Sequence, residues 1–168
     1  MLFPVAVYTG FDEAGGYKVP IAASGATGIT WKSSDSSIAG VSGNDEVATV
    51  TGLKAGTVTI TASAGGKSST ATVTVEAFTS GDRSAGQAEY SSKNCGSSGC
   101  HDASGPDVTP SGIGKHSQDE VMAAIKLGQN PEGGDLAIGA ANHSIASDTK
   151  IMAYLRSLQP DGIPQNDE

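Results

Sequence analysis

The chain has 168 residues, 23 of them glycine, with 37% hydrophobic and 5% aromatic residues and a net charge of −8. This composition points to small, loop-rich units instead of one large core. The acidity is uneven, with net −2 over residues 1–80 and net −6 over residues 81–168, which argues against nucleic acid or an anionic membrane as partner and favours a basic or cation-bridged one.

No run of roughly 18 apolar residues is present, so no transmembrane segment is expected. Met1-Leu2-Phe3-Pro4-Val5 lacks the basic start and long apolar core of a signal peptide. From there to residue 76 the chain is a series of short runs with a period of two. Residues 5–8, 18–22, 29–32, 47–50, 57–61 and 70–75 alternate apolar positions with Thr or Lys, which predicts strands with one buried face. Gly15-Gly16, residues 42–45, Lys54-Ala55-Gly56 and Gly65-Gly66 carry turn chemistry between them. A spacing of about ten residues between runs predicts a β-sandwich.

The order Ile29-Thr30-Trp31-Lys32-Ser33-Ser34-Asp35, Ser37-Ile38-Ala39-Gly40-Val41 and Val50-Thr51-Gly52-Leu53-Lys54-Ala55-Gly56-Thr57 resembles a bacterial Ig-like domain of group 2, and Ala71-Thr72-Val73-Thr74-Val75 closes the match. Gly40 stands where that family has Thr. The resemblance covers most of residues 3–76 and implies a spacer, adhesive or assembly module of cell-surface proteins. Trp31, in an alternating strand, is expected to anchor the core.

Residues 77–82 break the alternation and are expected to link an Ig-like domain (1–76) to a helical one (83–160), with a polar tail at 161–168. Ser117-Gln118-Asp119-Glu120 is a capping box for a helix running to Leu127 and ended by Gly128. A last helix is expected from Ser147-Asp148 through Leu158.

Ahead of both of these helices lies Cys95-Gly96-Ser97-Ser98-Gly99-Cys100-His101, with both cysteines of the chain. Two thiols followed directly by an imidazole are what covalent haem attachment needs: thioether bonds to the vinyl groups and an axial nitrogen on the iron. The spacer is four residues where two are usual, and its glycines and serines allow the loop to bulge. Two other chemistries fit the same residues. Cys95 and Cys100 can close a small disulfide loop, or join His101 and one of His116 or His143 around zinc.

Residues 83 onward resemble a class I, single-haem cytochrome c: Gly86 and Tyr90 lead into the cysteine motif, the 117–128 helix follows, and Ile151-Met152-Ala153-Tyr154-Leu155-Arg156-Ser157-Leu158 ends the domain. The resemblance implies one covalent haem c held by Cys95 and Cys100, with His101 on the iron. It also implies a crossing of the first and last helices at Gly86, Tyr90 and Tyr154, and Gly105-Pro106 beside the proximal ligand. The family's sixth ligand is a Met shortly before the last helix, which this chain lacks. His143 is the expected substitute, with His116, Met152, Met122 or an open site as alternatives.

The function expected on this basis is electron transfer by an exported carrier, periplasmic or at the cell surface, that is not an enzyme. Haem attachment outside the cytoplasm implies an export signal removed from or preceding this numbering. Its partner is expected to be a redox protein or an extracellular electron acceptor, with self-assembly through the Ig-like domain also open. Two further expectations stand beside it: a surface adhesion or assembly protein whose C-terminal module is redox-inert, and a haem-based ligand sensor or peroxidase-like protein.

Overall fold

A computed structural model describes residues 1–97, 101, 107–128 and 144–163. Its strands are β1 (Leu2–Phe3), β2 (Ala6–Asp12), β3 (Gly15–Gly16), β4 (Lys18–Ala23), β5 (Thr30–Ser33), β6 (Ala39–Asn44), β7 (Val47–Gly52), β8 (Gly56–Ala64) and β9 (Lys67–Ala77). Its helices are α1 (Ser80–Ser92), α2 (Pro110–Ile113), α3 (Gln118–Leu127) and α4 (Asp148–Ser157). The Thr/Val alternation works as period two requires. In β8, Val58, Ile60 and Ala62 face inward while Thr57 and Thr59 face water; β9 does the same with Ala71, Val73 and Val75.

One sheet has the order β1-β4-β7-β6 and the other β3-β2-β9-β8-β5. Most neighbours run antiparallel, but β2 pairs parallel with β9, setting Val7 beside Val73. The two inner faces enclose Leu2, Val7, Val19, Ile21, Val50, Ile60 and Val73, all nearly or wholly shielded from solvent.

Two stretches expected as turns are strand. Gly15-Gly16 pairs with Phe11 and Asp12, and residues 42–44 continue β6 in register with β7, leaving only Asp45 and Glu46 in the turn. Gly43 permits this because a Cβ there would stand 2.3 Å from the Ala48 Cα. Trp31 is half-buried at the rim of the core, not at its centre. It lies on the edge strand β5, and its indole Nε1 donates to the Asp45 carbonyl at 2.9 Å.

The helices begin and end where local chemistry dictates. Thr79 and Asp82 form a capping box on α1, and Ser117 and Glu120 form another on α3. Gly128 stops α3 in the left-handed conformation, φ 67°. A glycine at position 86 allows α1 to cross α4 closely: a Cβ would lie 1.9 Å from the Lys150 carbonyl oxygen. The Tyr90 and Tyr154 rings meet beside it, with centroids 5.2 Å apart.

These elements correct the expected architecture of two domains, an all-β sandwich followed by an all-α haem domain. The chain forms one mostly-β unit, 38% strand and 26% helix among the described residues, with the short helices laid against the sandwich. The physical reason is that the helices do not close a core by themselves. Their buried cluster of Ile113, Val121, Met122, Ile151, Met152, Ala153 and Leu155 is completed by Tyr17, from between β3 and β4, and by Phe78, at the end of β9. Phe78 covers the spot where a side chain on Gly10 of β2 would begin, and its ring stacks on Tyr17 at 6.0 Å.

Candidate functional site

The loop after α1 is where the sequence places the chemistry. Lys93 caps the helix, and Asn94 turns the chain with φ 54°. The Cys95 amide donates to the Tyr90 carbonyl at 3.1 Å, and the His101 amide returns to the Cys95 carbonyl at 3.0 Å, so the loop doubles back on its first cysteine. Gly96 sits against the Tyr90 ring, 3.3 Å from the place its Cβ would occupy. Cys95 and His101 are both half-buried. Cys100, His143, Gly105 and Pro106 lie outside the described residues.

The remaining ligand candidates sit elsewhere. Met152 is fully buried and Met122 nearly so, both within the helical core. His116 lies in the turn between α2 and α3, where its carbonyl accepts from Arg156. Among the described residues no three His, Cys, Asp or Glu side chains gather as metal ligands, and no haem motif or cytochrome fold is seen. The expectation of a cytochrome c domain, with its haem, iron-binding and electron-transfer properties, is corrected accordingly.

The most constrained polar chemistry lies where helices meet sandwich. Arg156 of α4 is 1% exposed. Its Nη1 donates to the Ile113 carbonyl at 2.7 Å and its Nη2 to the His116 carbonyl at 2.5 Å, which satisfies the last carbonyl of α2 and one in the turn after it. The guanidinium lies 5.8 Å from the Tyr8 ring centroid of β2. Burial pushes the arginine down to about 10, partly offset by the charge of Glu76 on β9. The Glu76 Oε2 and Arg156 Nε are both buried, with no hydrogen-bond partner among the described residues.

A second polar junction ties α1 to the other end of β2. Asp12, its side chain 1% exposed, accepts from Arg83 Nε at 2.6 Å, from the Tyr17 hydroxyl at 3.1 Å and from the Ala14 amide at 2.8 Å. Burial alone would raise its carboxyl; these donors, Arg83 foremost, outweigh that and hold it below the usual carboxylate range. Burial and the Asp12 charge together push the Tyr17 hydroxyl well up. Beside them the Ser80 amide donates to Glu13 at 2.7 Å, and the Tyr8 amide donates to the Gly114 carbonyl at 2.7 Å. Gly114 is flush with Val19 of β4: a Cβ would fall 2.4 Å from Val19 Cγ2.

Sequence reading passed over Arg156, Asp12, Arg83 and Glu76. The signal was available for Arg156 alone, as a charge four residues after Met152 and so on the apolar side of the last helix. Asp12 and Arg83 stand 71 positions apart, and only the fold pairs them.

No family model matches the chain. No curated protein matches it either. Among solved structures it is similar to a fragment of the S-layer protein SbsC, domains 1–6, at 22% identity and TM-score 0.40, over 46% of this chain and 12% of that one. A second fragment, rSbsC(31-844), gives 21% identity and TM-score 0.38 over 45% and 12%. A chimeric titin Z1Z2 gives 15% identity and TM-score 0.33 over 44% and 88%. The chain thus spans about an eighth of the two S-layer fragments, and overlaps this shallow say nothing about its activity.

Proposed function

We propose that this chain is an exported, cell-surface assembly or spacing module whose helical portion is redox-inert. The observation that carries the reading is the shared interface between helices and sandwich. Arg156, Gly114, Tyr17 and Phe78 are buried between them, so the helices serve as a fixed cap on one sandwich instead of a separately moving domain. A rigid module of this kind suits transmitting position along a surface. The net charge of −8 fits contact with a basic or cation-bridged envelope component.

The test has two parts. Purified chain should sediment with envelope fragments of its own cells and be released by raised salt; protein remaining in the supernatant at low salt overturns the reading. Chain matured with a cytochrome c assembly system should give no haem stain on a denaturing gel, and its intact mass should carry no added porphyrin. A stained band would restore electron transfer in its place.

A further inference from the structure

Exposed sheet edges are templates for pairing with another strand, and proteins normally shorten, charge or cover them. Three of the four edges here are treated in that way. β3 is two residues long, and beyond it the Tyr8 amide of β2 is taken up by Gly114. β1 is also two residues, is followed by Pro4, and sends its Leu2 amide to Ser69 Oγ at 3.3 Å. β5 is four residues with Lys32 exposed on it.

The fourth edge, β6, is neither shortened nor charged; β5 packs near it, with the Trp31 indole on the Asp45 carbonyl at the end of the strand. It runs six residues, Ala39-Gly40-Val41-Ser42-Gly43-Asn44, without charge or proline, and its last three residues are exposed. The phase of its hydrogen bonds follows from the register. Glu46 gives its carbonyl to Ala23, beside β4, so Val47, Thr49 and Thr51 turn toward β6 and engage Asn44, Ser42 and Gly40. Val41 and Gly43 therefore direct their amides and carbonyls away from the sheet, and among the described residues no hydrogen bond takes them up.

We propose that β6 pairs antiparallel with β6 of a second copy about a two-fold axis at Ser42, joining two four-stranded sheets into one. This deepens the assembly reading above and rests on it. The edge is self-complementary: Val41 of one copy faces Gly43 of the other, twice, giving four backbone hydrogen bonds from the groups left open. Charge selects the antiparallel arrangement. A parallel pairing would set the two Asp45-Glu46 turns side by side, whereas the antiparallel one separates them by roughly 20 Å at about 3.4 Å per residue, beyond the screening length of about 8 Å. A contact this small implies a weak dimer, populated as concentration rises.

Ser42 provides the test, because its exposed side chain meets its own copy across the axis. Sedimentation equilibrium of the full chain from micromolar to millimolar should show monomer passing to dimer. Ser42→Lys and Ser42→Asp should each stay monomeric with unchanged unfolding midpoints, since both place like charges opposite one another. Their equimolar mixture should recover the dimer. A wild-type chain that remains monomeric, or a dimer that survives in both variants, overturns the edge pairing; in the second case another surface carries the association. Envelope sedimentation is read separately: dimers that fail to bind the envelope defeat the surface reading and leave the pairing standing.

Discussion

The sandwich and its helical cap bury apolar side chains by different means. In the sandwich, alternation along the long strands brings residues as distant as Val7 and Val73 together, and the two inner faces close on each other. Among the described residues the cap has four short helices, one of them only four residues long, and closes its core by borrowing Tyr17 and Phe78. It also draws a buried cation into the seam. Isolated helices of such lengths are marginal in water, so the cap's stability is tertiary and comes from the sheet beneath it. The difference teaches that the two regions stand in order: the sandwich can outlast the cap, and the cap cannot outlast the sandwich.

The largest effect expected from breaking that order is at Arg156. Arg156→Ala strands the Ile113 and His116 carbonyls and leaves Glu76 without its counter-charge. Removing one member of a buried charged cluster costs about 3–5 kcal/mol. Hydrogen exchange should show protection lost through α2, α3 and α4 while β7, β8 and β9 keep theirs. Arg156→Met combined with Glu76→Gln should recover only part of the loss, because the uncharged pair removes the unpaired buried charge while the Ile113 and His116 carbonyls still lack their donor. Simultaneous loss of protection in both regions would mean that they fold as a single cooperative unit.

Next in size is Gly86, where α1 crosses α4. A methyl at this position meets the Lys150 backbone, which cannot swing aside as a flexible side chain would. Gly86→Ala should therefore destabilise the cap by about 1–3 kcal/mol, typical of overpacking, although alanine is the better helix former. Thermal unfolding followed by near-ultraviolet circular dichroism of the Tyr90–Tyr154 pair reads it. An unchanged transition would show that the helices separate at small cost.

Legibility in the sequence differs between the same two regions. Period-two alternation exposes β2, β4, β5, β7, β8 and β9, because side-chain direction in a strand depends only on residue parity. It misses β1 and β3, two residues each, and the six-residue β6, and it places turns at 15–16 and 42–45 where glycine is strand; glycine permits a turn without requiring one. In the cap, Ser117, Glu120 and Gly128 mark α3 correctly, since caps are local chemistry. The expected haem centre rests on Cys95, Cys100, His101 and a set of helices, and helices of generic amphipathic pattern pack against whatever apolar surface is nearest. The junction of Asp12 with Arg83 is illegible, as a pairing across 71 positions leaves no periodic trace.

The two capping boxes sharpen the comparison at a smaller scale. Ser117→Ala and Thr79→Ala each remove a side-chain acceptor from a helix start, at about 1 kcal/mol. Their consequences should differ. α3 is held by its cap and by Val121 and Met122, so Ser117→Ala should fray its first turn locally. Thr79 lies where β9 passes into α1, next to the Glu13–Ser80 bond, so Thr79→Ala should also loosen the junction. Site-resolved hydrogen exchange at residues 80–84 and 118–122 distinguishes the two, and equal, purely local fraying in both would remove the distinction.

The smallest expected effect is also the one with a pH signature. Arg83 is 32% exposed, so its ion pair with Asp12 is partly screened and contributes less than about 1 kcal/mol. Its direction is nonetheless fixed. The Asp12 carboxyl is held below its ordinary value of 3.8 in the folded chain, so its contribution is fully present above that value and is lost as pH falls through the lower folded one. Arg83→Gln removes the foremost donor and lets burial raise the carboxyl. The variant should then be slightly less stable than wild type at neutral pH, begin its acid unfolding at higher pH, and converge with wild type once Asp12 is protonated in both. Urea unfolding midpoints measured from pH 7 down to pH 3 carry the comparison. A gap between the two chains that stayed constant over that range would assign Arg83 a packing role, with its stem against the cap and its charge of no consequence to Asp12.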